Sequence, residues 1–195
     1  ALGGYLNENF YVIGGFADTN SDPHKPFDGF DTFFNDREYF KHLELGWNSS
    51  RETAFMNNVH LTLWQADERV AAATPDGWGA NISWSRSIND HWLPFVRAGY
   101  AEDGGALLEK SISAGLGYQK VSGGNQVGVA YNWGEPMAST WGPGLRNQQT
   151  LELFYRIQLF KELAITPDIQ YIRNPALNPE VDTLWVWGLR ARLVF

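Results

Sequence analysis

The sequence predicts an all-β protein, a transmembrane antiparallel up-and-down β-barrel with about ten strands in this chain. Three observations point there. Helical 3.6-residue periodicity is nearly absent, while period-two segments of roughly ten residues recur along the chain. The connections between those segments alternate between long and short. The apolar face of the segments carries tryptophans close to the strand ends. Side chains alternate across a strand, so each segment has an apolar face and a polar face. What remains is to decide which face meets water.

The segments fall at roughly 5–17, 38–48, 57–67, 77–88, 92–102, 108–121, 125–134, 148–160, 163–173 and 183–195. In "VHLTLW", Val59, Leu61 and Leu63 share a face opposite His60 and Thr62. "SISAGLGYQ" sets Ile112, Ala114, Leu116 and Tyr118 against serines, glycines and Gln119. "VGVAYNW" places Val127, Val129, Tyr131 and Trp133 together, and "LELFYRIQL" does the same for Leu151, Leu153, Tyr155 and Ile157. Opposite these last four stand Glu152, Phe154, Arg156 and Gln158. The closing "WVWGLRARLVF" puts Trp185, Trp187, Leu189, Ala191, Leu193 and Phe195 on one face, with Arg190 and Arg192 on the other.

Read from the C-terminal end, the connections run long, short, long, short: "RNPALNPEVD", "FKE", "GEPMASTWGPGLRNQ", "VSGGN". Further back come "EDGGA", the tight "INDH", "ADERVAAATPDG", "NSSRETAFMN" and the longest, "DTNSDPHKPFDGFDTFFNDRE". Outer-membrane barrels pair short periplasmic turns with longer extracellular loops. An even strand number would leave both ends of the chain on the short-turn side.

Composition narrows the function. The 195 residues suffice for one domain with a sizeable core. A net charge of -7 disfavours nucleic acid, because no basic stripe is present to neutralise phosphates. No cysteine is present, so neither a disulfide framework nor a thiolate metal site is expected. No apolar run approaches the roughly 18 residues of a membrane-spanning helix. The opening "ALGGYLNENF" lacks the basic and apolar regions of a signal peptide. The chain therefore reads as a mature form, a fragment, or a protein that needs no leader.

A soluble sandwich or an apolar-cored barrel also alternates. Against it stand the aromatics near strand ends on the apolar face (Trp47, Trp92, Trp133, Trp185, Trp187), as in an interfacial girdle. The polar faces also hold Arg97, Glu152, Arg156, Asp168, Arg190 and Arg192. The balance favours lipid outside and a wet lumen inside.

Several segments together resemble the carbohydrate-selective porins of the OprB type. They are "FDTFFNDREYFKHLELGW", "NVHLTLWQADER", "WLPFVRAGYAEDGGALLEKSISAGLGY", "VGVAYNWG" and everything from "QQTLELFYRIQLF" to the C-terminus. The resemblance implies a Gram-negative outer-membrane barrel that passes sugars, monosaccharides such as glucose, by diffusion. It implies that the last strand, with Trp187, Leu193 and the terminal Phe195, is a signal to the barrel-assembly machinery. Outer-membrane lipid and lipopolysaccharide would surround it. Family members are about twice this length, with one sixteen-stranded barrel, and the likeness is to their C-terminal part. The chain is then a complete narrow barrel, or part of a larger one completed by a companion chain or by further strands.

The residues expected along a substrate path are Arg97, Glu152, Phe154, Arg156, Asp168, Arg190, Arg192, Glu44 and His60. Folding the last three strands about their connections brings Arg156, Asp168 and Arg190 to adjacent heights. Arginine forks and carboxylates bind hydroxyls in pairs, and Phe154 and Trp64 offer faces on which a pyranose slides. Alternatively, these charges satisfy one another as an inter-strand ladder. Glu44 and His60 read as a hydrogen-bonded lumen pair; the serines are scattered and do not mark out a catalytic triad. The aspartates of "DTNSDPHKPFDGFDTFFND" raise a surface Ca²⁺, but their spacing fits no EF-hand and a solvated loop is the better reading. No cofactor, metal or catalytic residue is expected. The competing reading is a small closed or plugged outer-membrane barrel with a structural or lipid-directed enzymatic role; a soluble ligand-binding barrel is a weaker one.

Overall fold

Eleven strands follow one another in a single antiparallel sheet whose spatial order is the chain order. They are β1 (Leu2–Tyr5), β2 (Phe10–Asp18), β3 (Tyr39–Asn48), β4 (Asn58–Ala66), β5 (Gly77–Ser85), β6 (Trp92–Asp103), β7 (Leu108–Gln119), β8 (Gln126–Pro136), β9 (Gln148–Gln158), β10 (Leu163–Arg173) and β11 (Thr183–Leu193). Two helices sit in connections: α1 (Asp28–Asn35) between β2 and β3, and α2 (Ala138–Trp141) between β8 and β9. This computed structural model describes residues 1–22, 24–25, 27–121 and 123–194. No helix is long and apolar enough to cross a membrane, among the described residues.

The strand count corrects the expected ten. The stretch 5–17 is not one strand, because Asn7 turns the chain. Its Oδ1 accepts the backbone N–H groups of Asn9 at 2.9 Å and Phe10 at 2.8 Å, an Asx turn that separates β1 from β2. With eleven strands, β1 opens on the long-loop side while β11 ends on the short-turn side. The start of β1 and the end of β11 are therefore on opposite rims, not on one. The other segments match their strands to within a few residues, and α1 and α2 were not anticipated.

Local chemistry explains the turns. The "INDH" connection has Asn89 at φ 52° and Asp90 at φ 58°, with the His91 N–H donating to the Ile88 carbonyl at 3.2 Å. Two successive left-handed residues make the tight hairpin turn whose twist matches the strands. Two connections break the long–short rule. Residues 49–57 are long on the short side, and 104–107 are short on the long side.

The sheet is open. Pairing starts at β1 with β2 alone and ends at β11 with β10 alone. The chain has almost no conventional core: the buried apolar residues among those described are Ala66, Ala101, Met137 and Ala164. A soluble sandwich would bury one apolar face of each sheet against the other. Here that face stays uncovered, with Leu189 at 77% and Trp187 at 76% exposed.

Candidate functional site

The two faces of the sheet can be read directly from the register. On the outer face, from β2 to β11, the residues between the rims are apolar without exception. Leu43 and Leu45, Leu61 and Leu63, Ile82, Val96 and Ala98, Leu116, Val129, Leu151 and Leu153, Ile169 and Leu189 are representative. Toward the long-loop rim the same face becomes polar: Lys41, Gln65, Glu102, Lys110, Glu135, Gln149 and Arg173. The ion pairs collect there too, with Lys41 Nζ 2.7 Å from Asp67 and Lys110 Nζ 2.9 Å from Glu109 and 3.2 Å from Glu135. Asp67, just beyond β4, is held below the usual carboxylate range chiefly by that hydrogen bond from Lys41.

Aromatics sit at both edges of the apolar band. Trp78 lies 5.5 Å from Tyr100, and Tyr171 lies 4.9 Å from Trp185, near the long loops. Near the short turns, Trp92 lies 4.6 Å from Tyr118. From Lys110 to Tyr118 the band covers eight residue steps, which rise about 21 Å at roughly 3.4 Å per residue and a tilt of about 40°. That is close to the band of about 25 Å found on outer-membrane barrels.

The inner face has a different chemistry. One ladder row crosses all eleven strands through Tyr5, Tyr11, Gly46, His60, Ser83, Arg97, Ser113, Asn132, Thr150, Ile172 and Leu184. From β1 to β9 it consists of five hydroxyls, one amide, an imidazole, a guanidinium and one glycine. His60, Ser83, Arg97 and Ser113, with Asn81 and Ser111, line a depression of about 480 Å³. Arg97 stacks over the Phe95 ring at 5.4 Å. A second depression of about 590 Å³ lies between β1 and β4 and shares His60 with the first; Tyr5, Tyr11, Asn48 and Asn58 line it.

All eight described inner-face expectations for charge and aromaticity, Arg97, Glu152, Phe154, Arg156, Asp168, Arg190, Arg192 and Glu44, lie on this face, as does His60. Arg190 pairs with Thr166, and Asp168 stands one row away, between Phe154 and Gly188. The ladder of mutual ion pairs does not form. No salt bridge joins any of these charged groups, among the described residues. Arg156 donates instead to Gln158 Oε1 at 2.8 Å and leaves its Nε buried without a partner. Glu152 accepts from Gln170 at 3.3 Å.

Glu44 and His60 share the inner face but are not a hydrogen-bonded pair. Glu44 lies opposite Thr62, and His60 lies opposite Gly46. The Glu44 carboxylate accepts from Tyr11 Oη and Thr62 Oγ1, both at 2.9 Å. Tyr11 was missed because it reaches Glu44 diagonally, from opposite Gly46, a contact that alternation within one strand does not show.

Bulky inner residues lie across glycines of the next strand. A Cβ on Gly46 would run into the Tyr11 ring, one on Gly79 into Trp64, and one on Gly128 into Phe154. Trp64 also stacks on Phe40 at 5.7 Å. Each ring therefore lies along the wall rather than across the space beside it. Of the expected terminal signal, Trp187 and Leu193 are exposed on the outer face, and Phe195 lies outside the described residues. The β2–β3 loop uses Asp18 to accept from Thr32 Oγ1 and from the N–H groups of Asn20 and Ser21.

An open wall with an apolar outside and a hydrogen-bonding inside is what a pore-forming barrel requires. The family model of the carbohydrate-selective porins, OprB family, matches residues 11–195. The chain belongs to that family. It is 39% identical over 61 residues to QuiX of Acinetobacter baylyi, a protein named as a porin, covering 31% of this chain and 14% of that one. It is 34% identical over 85 residues to the uncharacterized protein sll0772 of Synechocystis, covering 42% and 16%. Its fold is that of the high-pH structure of Pseudomonas putida OprB, with a TM-score of 0.73 at 14% identity over 98% of this chain and 57% of that one. The chain thus spans little more than half of the solved barrel, and its matches to the two curated relatives cover less than a fifth of either.

Proposed function

We propose that these eleven strands form most of the wall of a bacterial outer-membrane porin through which carbohydrates, monosaccharides such as glucose among them, diffuse down their gradient. The observation that carries this reading is the inner ladder row of hydroxyl, amide, imidazole and guanidinium groups facing away from an uninterrupted apolar outer band. Sugar hydroxyls exchange hydrogen bonds with water for bonds to Ser83, Ser113, Asn132 and Thr150. Arg97 and the arginines of β9 and β11, which form no salt bridge among the described residues, present paired donors to vicinal hydroxyls. Trp64 and Phe154, lying along the wall, offer apolar faces without closing the path. Arg97, Glu152, Arg156, Asp168, Arg190, Arg192, Glu44 and His60 set the field along it.

Strand parity supports a larger barrel. Strands β1 and β11 run in the same direction, since ten antiparallel steps separate them. Joining them would require a parallel seam, whereas an odd number of additional strands closes the sheet with antiparallel pairs throughout. Five would make sixteen. Open edges do not persist in lipid, because their N–H and C=O groups have no water to bond. The missing strands come from a companion chain or a further segment of the same polypeptide, and Trp187, Leu193 and Phe195 present the last strand to the assembly machinery.

The test is reconstitution in planar bilayers. A steady conductance that falls as glucose is added, with weaker sugar block in Arg97→Ser, supports the reading. A protein that folds in the bilayer but neither conducts nor admits glucose in a liposome-swelling assay contradicts it.

A further inference from the structure

Helix α1 is amphipathic in a direction the barrel alone does not explain. At about 100° per residue, Phe33, Phe30, Phe34 and Phe27 fall within one arc of about 120°. Asp28 and Thr32 occupy the opposite side. That polar side is tied down: Asp28 Oδ2 accepts the Asp22 N–H at 2.8 Å, and Thr32 Oγ1 donates to Asp18 at 2.8 Å. One edge of the apolar arc is seated on the wall. The Phe33 ring lies 5.6 Å from Phe16 and 5.1 Å from Tyr39, whose hydroxyl donates to the Phe33 carbonyl at 2.8 Å. Phe16 and Tyr39 belong to the outer face of β2 and β3. The rest of the arc faces outward uncovered, with Phe27 76%, Phe30 68% and Phe34 65% exposed.

We infer that α1 is an interfacial anchor: its Phe27–Phe30–Phe34 stripe inserts into the lipid surface around the barrel, beside the long-loop edge of the apolar band. Three facts choose lipid as the occupant. The stripe continues, through Phe33, onto the outer face that the porin reading places in the membrane. It lies at the rim where Trp78, Tyr100, Tyr171 and Trp185 gather. Its acidic residue Asp28 lies away from the stripe and Asp31 borders it on the side away from Phe33, so the helix can rest in the plane of the interface with Asp28 toward water and Asp31 at the boundary. Amphipathic helices of this kind bury their apolar face about 5–10 Å into the boundary between headgroups and acyl chains. The inference rests on the outer-membrane reading above.

The chain has no cysteine, so single nitroxide labels can be placed at will. Phe30→Cys and Phe34→Cys are labelled in the protein reconstituted in phosphatidylcholine vesicles, with Asp31→Cys and Leu153→Cys for reference. Collision rates with oxygen, which partitions into lipid, and with a water-soluble nickel chelate are measured. The expected result is a several-fold higher oxygen-to-nickel ratio at 30 and 34 than at 31, below that at 153. A label at 153 in lipid with 30 and 34 matching 31 overturns the anchor and leaves the porin reading standing. A label at 153 in water overturns both. Low collision with either reagent at 30 and 34, with spin–spin broadening, shows a second copy on the stripe and also overturns the lipid anchor. Because the replaced rings are exposed, loss of folding is not expected; Phe27→Cys provides an independent third position.

Discussion

The outer and inner faces of this sheet are made from alternate residues of the same strands, yet they obey opposite rules. Outside, between the two aromatic edges, there is no charge or amide from β2 to β11. Inside, Glu44, Glu152 and Arg156 bond to hydroxyls and amides, and no salt bridge joins the inner-face charges among the described residues. The contrast teaches where stability and function reside. In the porin reading the outer face has no freedom, because any polar group placed there would have to be desolvated by lipid. On that reading the inner face is freer, because water would compensate its polar groups, except where glycines such as Gly46, Gly79 and Gly128 make room for neighbouring rings.

The largest expected effect comes from breaking the outer rule. Leu153→Arg puts a charge in the middle of the apolar band and should destabilise the folded protein by about 2–4 kcal/mol. Its neighbour Glu152→Arg, one residue away on the inner face, should leave stability nearly unchanged and alter ion selectivity instead. Reversible unfolding in urea with vesicles present reads both. Equal losses for the two would erase the distinction between faces.

A smaller loss is expected where the inner face does constrain sequence. Gly46→Val places methyl groups in the space of the Tyr11 ring and displaces the Tyr11–Glu44 hydrogen bond. Such overpacking costs about 1–3 kcal/mol. The double change Gly46→Val with Tyr11→Ala should recover most of it in the same unfolding assay.

The smallest effect belongs to the rim. The Asp67 carboxylate is titrated below its ordinary 3.8 because Lys41 and the Tyr39 N–H bond to its ionised form. A lowered acid contributes stability that is complete above 3.8 and lost as pH falls through the lower folded value. The pair is partly exposed, so its worth is screened to about 1 kcal/mol or less. Thermal unfolding at pH 7 and pH 3 should show a slightly smaller difference for Asp67→Asn than for the natural protein. An unchanged or larger difference would assign the effect elsewhere.

Much of this was legible in the sequence because strand alternation reports face directly. Val59, Leu61 and Leu63 against His60 and Thr62 needs no tertiary information. Nor do the apolar band, the aromatics beside the turns, or the inner position of Arg97 and Arg190. What escaped depends on single atoms or on distant neighbours. The Asn7 side chain, by capping two N–H groups, divides one apparent strand and reverses the rim at which the sheet opens. The Glu44 partners could not be chosen from spacing, since Tyr11 lies 33 residues away. Helix α1 hid within a stretch of aspartates, prolines and glycine that reads as loop, because its apolar arc is short and partly satisfied by Phe16 and Tyr39.

The account stands or falls on one face being wet and the other not. The most direct measurement is the reaction rate of single cysteines at positions 151 to 156 with a membrane-impermeant charged thiol reagent, in the protein reconstituted in lipid vesicles. The account predicts a strict alternation, with 152, 154 and 156 modified quickly and 151, 153 and 155 protected. Uniform rates along β9, or fast reaction at the odd positions, would contradict it.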